Sequence, residues 1–356
     1  MKKLNIAIIG QGRSGRNIHG KHLKSENNTL FNVVAVVDRD QLRRERALEE
    51  YPGCEVFESY TELYGRKDID LVINSTISNE HYSVAKDLLE NGFNVVVEKP
   101  FARTRYECDD LIRIAKEKNV KLGVFQQSFF APFYIKAIEV AKNGKLGEIM
   151  QVDVKWNNFA RRWDWQTTQV KLGGNIYNTG PHPIGIALGF LDFDNNAKVV
   201  FSKLGRVLNS GDSDDYAKII MTAPDKPVID IEVSSSDAFA PSNIKIIGSK
   251  GTYISSTDSY EMKYIADGEN PEQKLVIDSL KNEDGYPIYC SEELITHTEE
   301  GTFEGNAFNV GTHRFYEMMY NAITKDEEMS VKPEHAAMVI NVIEQVHAEN
   351  PLPVKF

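Results

Sequence analysis

The regular alternation of apolar runs with helical patterns between residues 4 and 125 constrains the fold of this chain more than any other feature. The runs are continuously apolar, which indicates strands buried on both faces, as in a parallel sheet covered by helices. Because strand and helix follow one another throughout, the sequence predicts an α/β fold with a doubly wound parallel sheet, in a domain of residues 1–126. The runs occupy residues 4–9, 32–37, 70–74, 93–97 and 120–125.

A glycine-rich turn directly follows the first of these strands. Gly10, Gly12 and Gly15 form a GxGxxG pattern, with Arg13 and Ser14 between the last two glycines. The first glycine permits a tight turn, the second lets a ligand approach the main chain, and the third allows the next helix to pack closely. Free N–H groups at the start of that helix attract phosphate groups. We therefore predict a Rossmann domain that binds a dinucleotide through these five residues.

An acidic residue, Asp38, ends the second strand, 23 residues after Gly15. In dinucleotide-binding folds a carboxylate at this place accepts hydrogen bonds from the adenosine ribose and repels a 2′-phosphate. Asp38 could instead cap the following helix, although Asp40 fits that role equally well. The neighbouring Arg39 could attract a 2′-phosphate. The sequence thus predicts NAD as the cofactor, with NADP as the alternative.

The fourth strand ends abruptly in Glu98-Lys99-Pro100. The carboxyl ends of parallel strands border the crevice in which ligands of this fold bind, so we expect Lys99 to face that crevice. A lysine that is merely solvated at a strand end is the alternative. The sequence does not decide whether the Lys99–Pro100 peptide bond is cis or trans. The candidate cofactor site also includes Ser75, Thr76, Asn79, His81, Glu98, Lys99 and Gln127.

The sequence pattern changes after residue 126. Between residues 149 and 156 apolar and polar residues alternate, which is typical of a strand with one solvated face. Further short strands follow up to residue 255, and helices return near residues 312–323 and after Pro333. We predict a second α/β domain, residues 127–356, with an open and largely antiparallel sheet. Residues 266–306 are polar, contain many turn-forming residues and show no period.

The composition argues against several classes of function. The net charge of −11 disfavours nucleic acid or an anionic membrane as a partner, and no apolar run reaches membrane-spanning length. Cys54, Cys108 and Cys290 are scattered, which suggests neither a disulfide framework nor a metal site. The short apolar run near the start is unlike a signal peptide, so we expect a cytoplasmic protein.

Two polar clusters in the second half are candidate substrate sites. The first is the hexapeptide Arg-Arg-Trp-Asp-Trp-Gln at residues 161–166. The indoles of Trp163 and Trp165 suit the apolar face of a sugar ring, while Arg162 suits its hydroxyl groups. A surface loop pinned by its tryptophans is the alternative.

The second cluster runs from the paired glycines at residues 173–174 to His182. In a continuous helix Asn178 and His182 would lie four residues apart on one side, so the amide could orient the imidazole as a general base. Gly180 and Pro181 make such a helix imperfect. Lys99 and His182 are together suited to hydride transfer, in which one group removes the hydroxyl proton and the other stabilises the alkoxide. The sequence leaves open which residue plays which part.

The GxGxxG turn with His19, the Glu98-Lys99-Pro100 triplet and the segment ending at His182 together resemble the glucose–fructose oxidoreductase/inositol dehydrogenase (Gfo/Idh/MocA) family. The resemblance covers essentially the whole chain. It implies a sugar, polyol or derivative as the substrate, with NAD or NADP as the cofactor. It also implies an open C-terminal sheet that supports homodimers or homotetramers. It maps Lys99 and His182 onto the family's catalytic lysine and histidine.

The chain departs from the family pattern in two places. The position four residues before the histidine is typically aspartate, and here it is Asn178. An arginine pair often follows the sixth strand, where this chain reads Gln127-Ser128-Phe129-Phe130. Both departures remove charge from the expected substrate pocket, for which Arg161 or Arg162 could compensate.

Three functions fit these features. The first is an NAD(P)-dependent dehydrogenase that acts on a secondary alcohol of a sugar, cyclitol or glycoside. The second is NAD-dependent cleavage of a glycoside, in which transient oxidation acidifies a ring proton and permits elimination. The third is a nucleotide- or sugar-sensing protein without turnover. The retained Lys99 and His182 weigh against the third function, Asn178 weighs slightly for it, and we rank the three functions in the order given.

Overall fold

Two β-sheets organise the protein in this computed structural model, which describes residues 2–240 and 242–356. The first sheet has the strand order β3-β2-β1-β4-β5-β6, and every neighbouring pair is parallel. This arrangement confirms the predicted doubly wound parallel sheet. Its strands are β1 (Leu4–Ile9), β2 (Phe31–Val37), β3 (Glu55–Phe57), β4 (Leu71–Asn74), β5 (Val95–Val97) and β6 (Leu122–Val124).

Helices cover both faces of this sheet. A π-helical turn, Gly15–His19, follows the glycine-rich loop and leads directly into α1. The apolar side of α3, with Val84 and Leu88, is buried against the sheet. The helices of this part are α1 (Gly20–Leu23), α2 (Gln41–Glu50), α3 (His81–Glu90) and α4 (Arg105–Lys118).

The second sheet is largely antiparallel, which confirms the predicted class. Its order is β16-β13-β12-β11-β7-β10-β9-β8, and among the described strands of this sheet only β7 and β10 pair in parallel. Its strands are β7 (Ile149–Asn157), β8 (Lys198–Gly205), β9 (Tyr216–Thr222), β10 (Val228–Ser234), β11 (Ile244–Gly248), β12 (Gly251–Ser255), β13 (Ser259–Tyr264) and β16 (His297–Thr302).

A long arm, residues 265–296, leaves the edge of the second sheet between β13 and β16. It contains two short strands, β14 (Leu280–Lys281) and β15 (Pro287–Ile288), that pair with each other. Many of its large apolar side chains are exposed, among them Ile277 at 87% and Tyr289 at 89%. A hairpin this short has no core of its own, so packing from elsewhere is needed to stabilise it.

The helices of the second half connect the two sheets. Helix α8 lies beyond residue 126 in the chain, yet its Phe315 and Met319 lie against Gly123 of β6, and its Tyr316 ring packs against Phe31 of β2. Helix α9 packs against α4 and α7. Among the residues described, no helix is long and apolar enough to cross a membrane. These helices are α5 (Pro132–Lys142), α6 (Asn175–Asn178), α7 (Pro181–Phe190), α8 (Thr312–Lys325) and α9 (Pro333–Glu349).

Candidate functional site

The glycine-rich loop has the geometry of a dinucleotide cradle. Gly10 has φ +90°, and a Cβ there would lie 2.4 Å from the carbonyl oxygen of Ser75. A Cβ on Gly15 would lie 1.8 Å from the carbonyl oxygen of Gly10, so the helix packs directly on the loop. Gly12 differs, because the nearest atom to its Cβ position is Nη1 of Arg43, 4.0 Å away. The second glycine therefore borders open space, as binding of a pyrophosphate requires.

Asp38 is buried at the end of β2 and anchors this loop. Its Oδ2 accepts a hydrogen bond from the main-chain N–H of Gln11 at 2.7 Å, and its Oδ1 accepts one from Asp40 at 2.9 Å. The helix cap is Asp40, whose carboxylate accepts from the first turn of α2. Arg39 forms a two-pronged ion pair with Glu80 at 3.2 and 3.3 Å, which occupies its guanidinium. The carboxylate of Asp38 thus lies beside the loop without serving as the cap of α2.

Several buried polar atoms that follow the carboxyl ends of the parallel strands lack a hydrogen-bond partner in the described part of the chain. Buried polar atoms are normally paired, so such a group indicates a place for a polar ligand. The residues present therefore fit a dinucleotide. The atoms are Gln11 Nε2, Ser75 Oγ, Asn79 Oδ1 and Gln127 Oε1.

His81 lies behind the cleft wall. Its Nδ1 lies 2.7 Å from the carbonyl oxygen of Pro100, and its Nε2 lies 3.2 Å from that of Thr76. The hydroxyl of Thr76 donates to Asn74. The geometry does not support the predicted cofactor contact of His81, because both ring nitrogens face the main chain. Instead the ring holds the turn that contains the cis Lys99–Pro100 bond.

Lys99 reaches from β5 to the second half of the chain. Its Nζ donates a hydrogen bond to the main-chain carbonyl oxygen of Asn178 at 2.6 Å. Burial lowers the pKa of Lys99, and the nearby charges of Arg13 and Arg162 lower it further, whereas the charge of Glu98 raises it. A lowered pKa favours the neutral amine, which is the form that can accept a proton.

His182 lies in the first turn of α7, and its orienting partner is Ser128. The distance from Ser128 Oγ to His182 Nδ1 is 3.0 Å. Burial, together with the charge of Lys99, lowers the pKa of His182 to about 3, so the imidazole is neutral. Sequence reasoning missed Ser128, because a lone serine between a glutamine and two phenylalanines carries no pattern.

The prediction that the Asn178 amide orients His182 is wrong. The N–H of Gly180 bonds to the carbonyl oxygen of Asn175, five residues back, so an extra residue enters the turn between α6 and α7. This extra residue rotates Asn178 away from the face that carries His182. No hydrogen bond among the described residues joins the two side chains, and Asn178 acts through its main-chain oxygen.

Asn178 instead lines a small polar cavity with Arg162, Gln166 and Asp214. Asp214 is 1% exposed, its Oδ2 accepts from the N–H of Ile176 at 2.9 Å, and burial raises its pKa to about 7. Sequence reasoning missed this carboxyl, although three aspartates within residues 212–215 were a visible signal.

The tryptophans of the loop at residues 161–166 lie outside this cavity. Trp163 is 78% exposed and Trp165 is 40% exposed, while Arg162 forms an ion pair with Asp164 at 2.9 Å. Of the predicted substrate residues, the structure therefore brings Lys99, Asn178 and Arg162 together, with His182 on the next turn. The two indoles remain at the rim.

Comparison with known proteins bears on both halves of the chain. Residues 4–126 match the model of an oxidoreductase family with an NAD-binding Rossmann fold (GFO_IDH_MocA). Residues 138–349 match the C-terminal α/β domain of the same family.

The individual relatives have low sequence identity to this chain, and two of the three below align over nearly its whole length. An uncharacterized oxidoreductase of Schizosaccharomyces pombe is 26% identical over 98% of this chain and 96% of its own length. The NADP-dependent scyllo-inositol 2-dehydrogenase IolW of Bacillus subtilis is 26% identical over 51% of this chain and 50% of its own. The crystal structure of the probable oxidoreductase YhhX of Escherichia coli has a TM-score of 0.79, at 20% identity over 98% of both chains. That structure shares the fold.

Proposed function

The chain belongs to the Gfo/Idh/MocA family of oxidoreductases, and from this premise we propose that it transfers a hydride between NAD(P) and a secondary alcohol of a sugar, cyclitol or glycoside. The observation that carries this proposal is the bond from Lys99 Nζ to the main chain of Asn178, directly before the turn that presents His182. This bond joins the end of β5, beside the dinucleotide loop, to the polar cavity of the second half. The dehydrogenase of inositol among the relatives supports a polyol substrate.

The residues of the cleft divide the chemistry between them. Bound NAD(P) supplies the hydride acceptor. Lys99 takes the proton of the substrate hydroxyl, because burial brings its pKa down from the usual value for an amine. His182 stays neutral and forms a hydrogen bond with the same oxygen, with its ring held by Ser128. Arg162 and Asn178 hold the remaining hydroxyl groups.

A substrate screen tests this function. Cyclitols, hexoses and aryl glycosides are incubated with the protein and either NAD or NADP, while the absorbance of the reduced cofactor is followed. Turnover of a cyclitol or hexose supports the proposal. Release of the aryl group without net reduction of the cofactor would instead indicate glycoside cleavage, and no reaction with any class would contradict both enzymatic functions.

We expect NAD(H) to bind at least about tenfold more tightly than NADP(H), a difference of about 1.4 kcal/mol. The buried carboxylate of Asp38 would repel a 2′-phosphate, whereas Arg39 is occupied by Glu80. Fluorescence titration with NADH and NADPH measures the preference, and Asp38→Ser is expected to reduce it. The Arg39→Gln variant is the matched control and should bind NADPH as the wild type does. Tighter binding of NADPH than of NADH by the wild type, lost in Arg39→Gln, would show that the guanidinium dominates.

We also propose that the protein is a homodimer or homotetramer held by its C-terminal sheet. Exposed apolar side chains on this sheet and on the arm, residues 265–296, support this proposal, among them Phe201, Ile277 and Tyr289. Light scattering after gel filtration is expected to give a multiple of 40.2 kDa. Phe201→Glu and Ile277→Glu should lower the mass, whereas Phe239→Glu, in the exposed loop between β10 and β11, should not. A monomeric wild type would contradict the proposal.

A further inference from the structure

A buried hydrogen-bonded chain lies behind Lys99 and connects three distant parts of the sequence. The hydroxyl of Tyr316, on α8, lies 2.8 Å from His19 Nδ1, and His19 Nε2 lies 3.1 Å from Glu98 Oε1. The other carboxylate oxygen of Glu98 accepts the main-chain N–H of Lys99 at 3.0 Å. Tyr316 and His19 are fully buried, and Glu98 is 3% exposed. None of these three side chains has a part in the chemistry described above.

The donors and acceptors of this chain balance in one arrangement. An ionised carboxylate only accepts, so the nitrogen of His19 that faces Glu98 carries a proton. In a neutral imidazole the opposite nitrogen is then an acceptor, and it receives the hydroxyl proton of Tyr316. Every polar atom is satisfied with a neutral His19 and an ionised Glu98. The direction of donation therefore runs from Tyr316 through His19 to Glu98.

Aromatic packing fixes the two rings of the chain. The His19 ring lies 4.3 Å from Phe125, centroid to centroid, and the Tyr316 ring stacks on His22 at 4.9 Å. Phe315 closes the far side of Phe125. The imidazole consequently has little freedom to turn away from Glu98.

The carboxylate at the end of this chain influences Lys99 electrostatically. Burial alone would raise the pKa of Glu98, but the hydrogen bond from His19 and the positive charge of Lys99 hold it below its usual value. Glu98 is thus an anion at every physiological pH. Its charge favours the ammonium form of Lys99, whereas burial and the cations Arg13 and Arg162 favour the neutral amine.

We propose that His19 and Tyr316 are positioning residues that hold the Glu98 anion behind Lys99, and that Glu98 thereby sets the fraction of Lys99 that is protonated. The inference rests on the proposed function in that Lys99 is the proton acceptor there. It adds that hydrogen-bonded side chains between the dinucleotide loop and α8 control the protonation of Lys99. Helix α8 belongs to the second half of the protein, so the hydrogen bonds from Tyr316 to Glu98 require residues from both halves.

Competitive acylation tests the proposal without any substrate. The whole protein is treated with a trace of acetic anhydride between pH 6 and 11, and mass spectrometry gives the titration midpoint of each lysine. The exposed Lys67 serves as the internal reference. We expect Glu98→Gln to lower the midpoint of Lys99 by roughly one pH unit, because the amide removes the negative charge. An unchanged midpoint in this variant would overturn the proposal.

Tyr316→Phe tests the positioning part, and it stands in for Glu98→Gln if that variant fails to fold. It leaves His19 Nδ1 without its donor, so the imidazole can adopt the tautomer that releases Glu98. We expect a smaller fall in the Lys99 midpoint, and no additional fall when Tyr316→Phe is combined with Glu98→Gln. Tyr320→Phe, one turn along the same helix, is the matched control because its hydroxyl donates only to the main chain of Lys2. Equal Lys99 midpoints in Tyr316→Phe and Tyr320→Phe would overturn the positioning role of Tyr316 and His19.

Activity measurements separate this inference from the proposed function. With an active substrate, the acidic limb of the kcat/KM profile for alcohol oxidation should move to lower pH in Glu98→Gln, in step with the acylation midpoint. Shifted midpoints with no turnover of any substrate would contradict the proposed function while the electrostatic link remains. Good turnover with unshifted midpoints would support the proposed function and contradict the electrostatic link between Glu98 and Lys99.

Discussion

Lys99→Met is expected to lower kcat by about 10²- to 10⁴-fold and to leave the folded state at least as stable as the wild type. Methionine has a similar length but no proton to exchange and no charge. The amine of Lys99 is partly buried, and burial disfavours its charged form, so its removal relieves a desolvation cost. The one hydrogen bond lost runs to the carbonyl oxygen of Asn178.

Thermal unfolding and cofactor titration accompany the kinetic measurement. NADH should still bind, because the glycine-rich loop and Asp38 are untouched, although any contact of Lys99 with the cofactor is lost. Lys67→Met is the matched control, since this lysine is exposed in a loop of the same domain. Full turnover in Lys99→Met would refute the catalytic role, and a large fall in melting temperature would show that the lysine serves the fold.

The parallel sheet was predictable because its causes are local. Strands buried on both faces need continuous apolar runs such as Val95–Val97, and the turn after β1 needs glycine where φ is positive and where the helix packs closely. The edge strand β16 was missed for the opposite reason. It is largely exposed on both faces, so its sequence has no alternation of polar and apolar residues to detect.

The partners of the catalytic residues were not predictable, because they depend on contacts between distant segments. Ser128 meets His182 across 54 residues, and His19 meets Tyr316 across 297. The spacing of Asn178 and His182 suggested a contact that a continuous helix would have made. A single extra residue in the turn before α7 removed it. Helical spacing is informative only where the helix is unbroken.

The aspartates of residues 212–215 were not recognised from the sequence. Residues 212–215 contain three aspartates that are all buried in the structure. All three accept hydrogen bonds from main-chain N–H groups, as Asp215 does from Val207, Leu208 and Asn209. Asp214 and Asp215 both line the polar cavity. From sequence, such a cluster is indistinguishable from a solvated turn, because burial is set by the strands and loops packed around it.

The second large effect is expected in the glycine-rich loop, where Gly15→Ala and Gly12→Ala should differ in their effects on stability and on NADH binding. A methyl group on Gly15 would lie 1.8 Å from the carbonyl oxygen of Gly10, and main-chain atoms cannot move aside as a side chain can. We expect Gly15→Ala to lower the free energy of unfolding by roughly 1–3 kcal/mol and to displace the loop, which abolishes NADH binding.

Gly12→Ala should behave differently, because a methyl group on Gly12 meets nothing nearer than 4.0 Å. The melting temperature without cofactor should equal that of the wild type, while NADH binding weakens by at least about tenfold because the methyl group fills the space that a pyrophosphate needs. NADH should accordingly raise the melting temperature of the wild type and give a smaller rise in Gly12→Ala at the same concentration. If Gly12→Ala bound NADH as tightly as the wild type, the pyrophosphate would lie elsewhere and the assignment of this loop would be wrong.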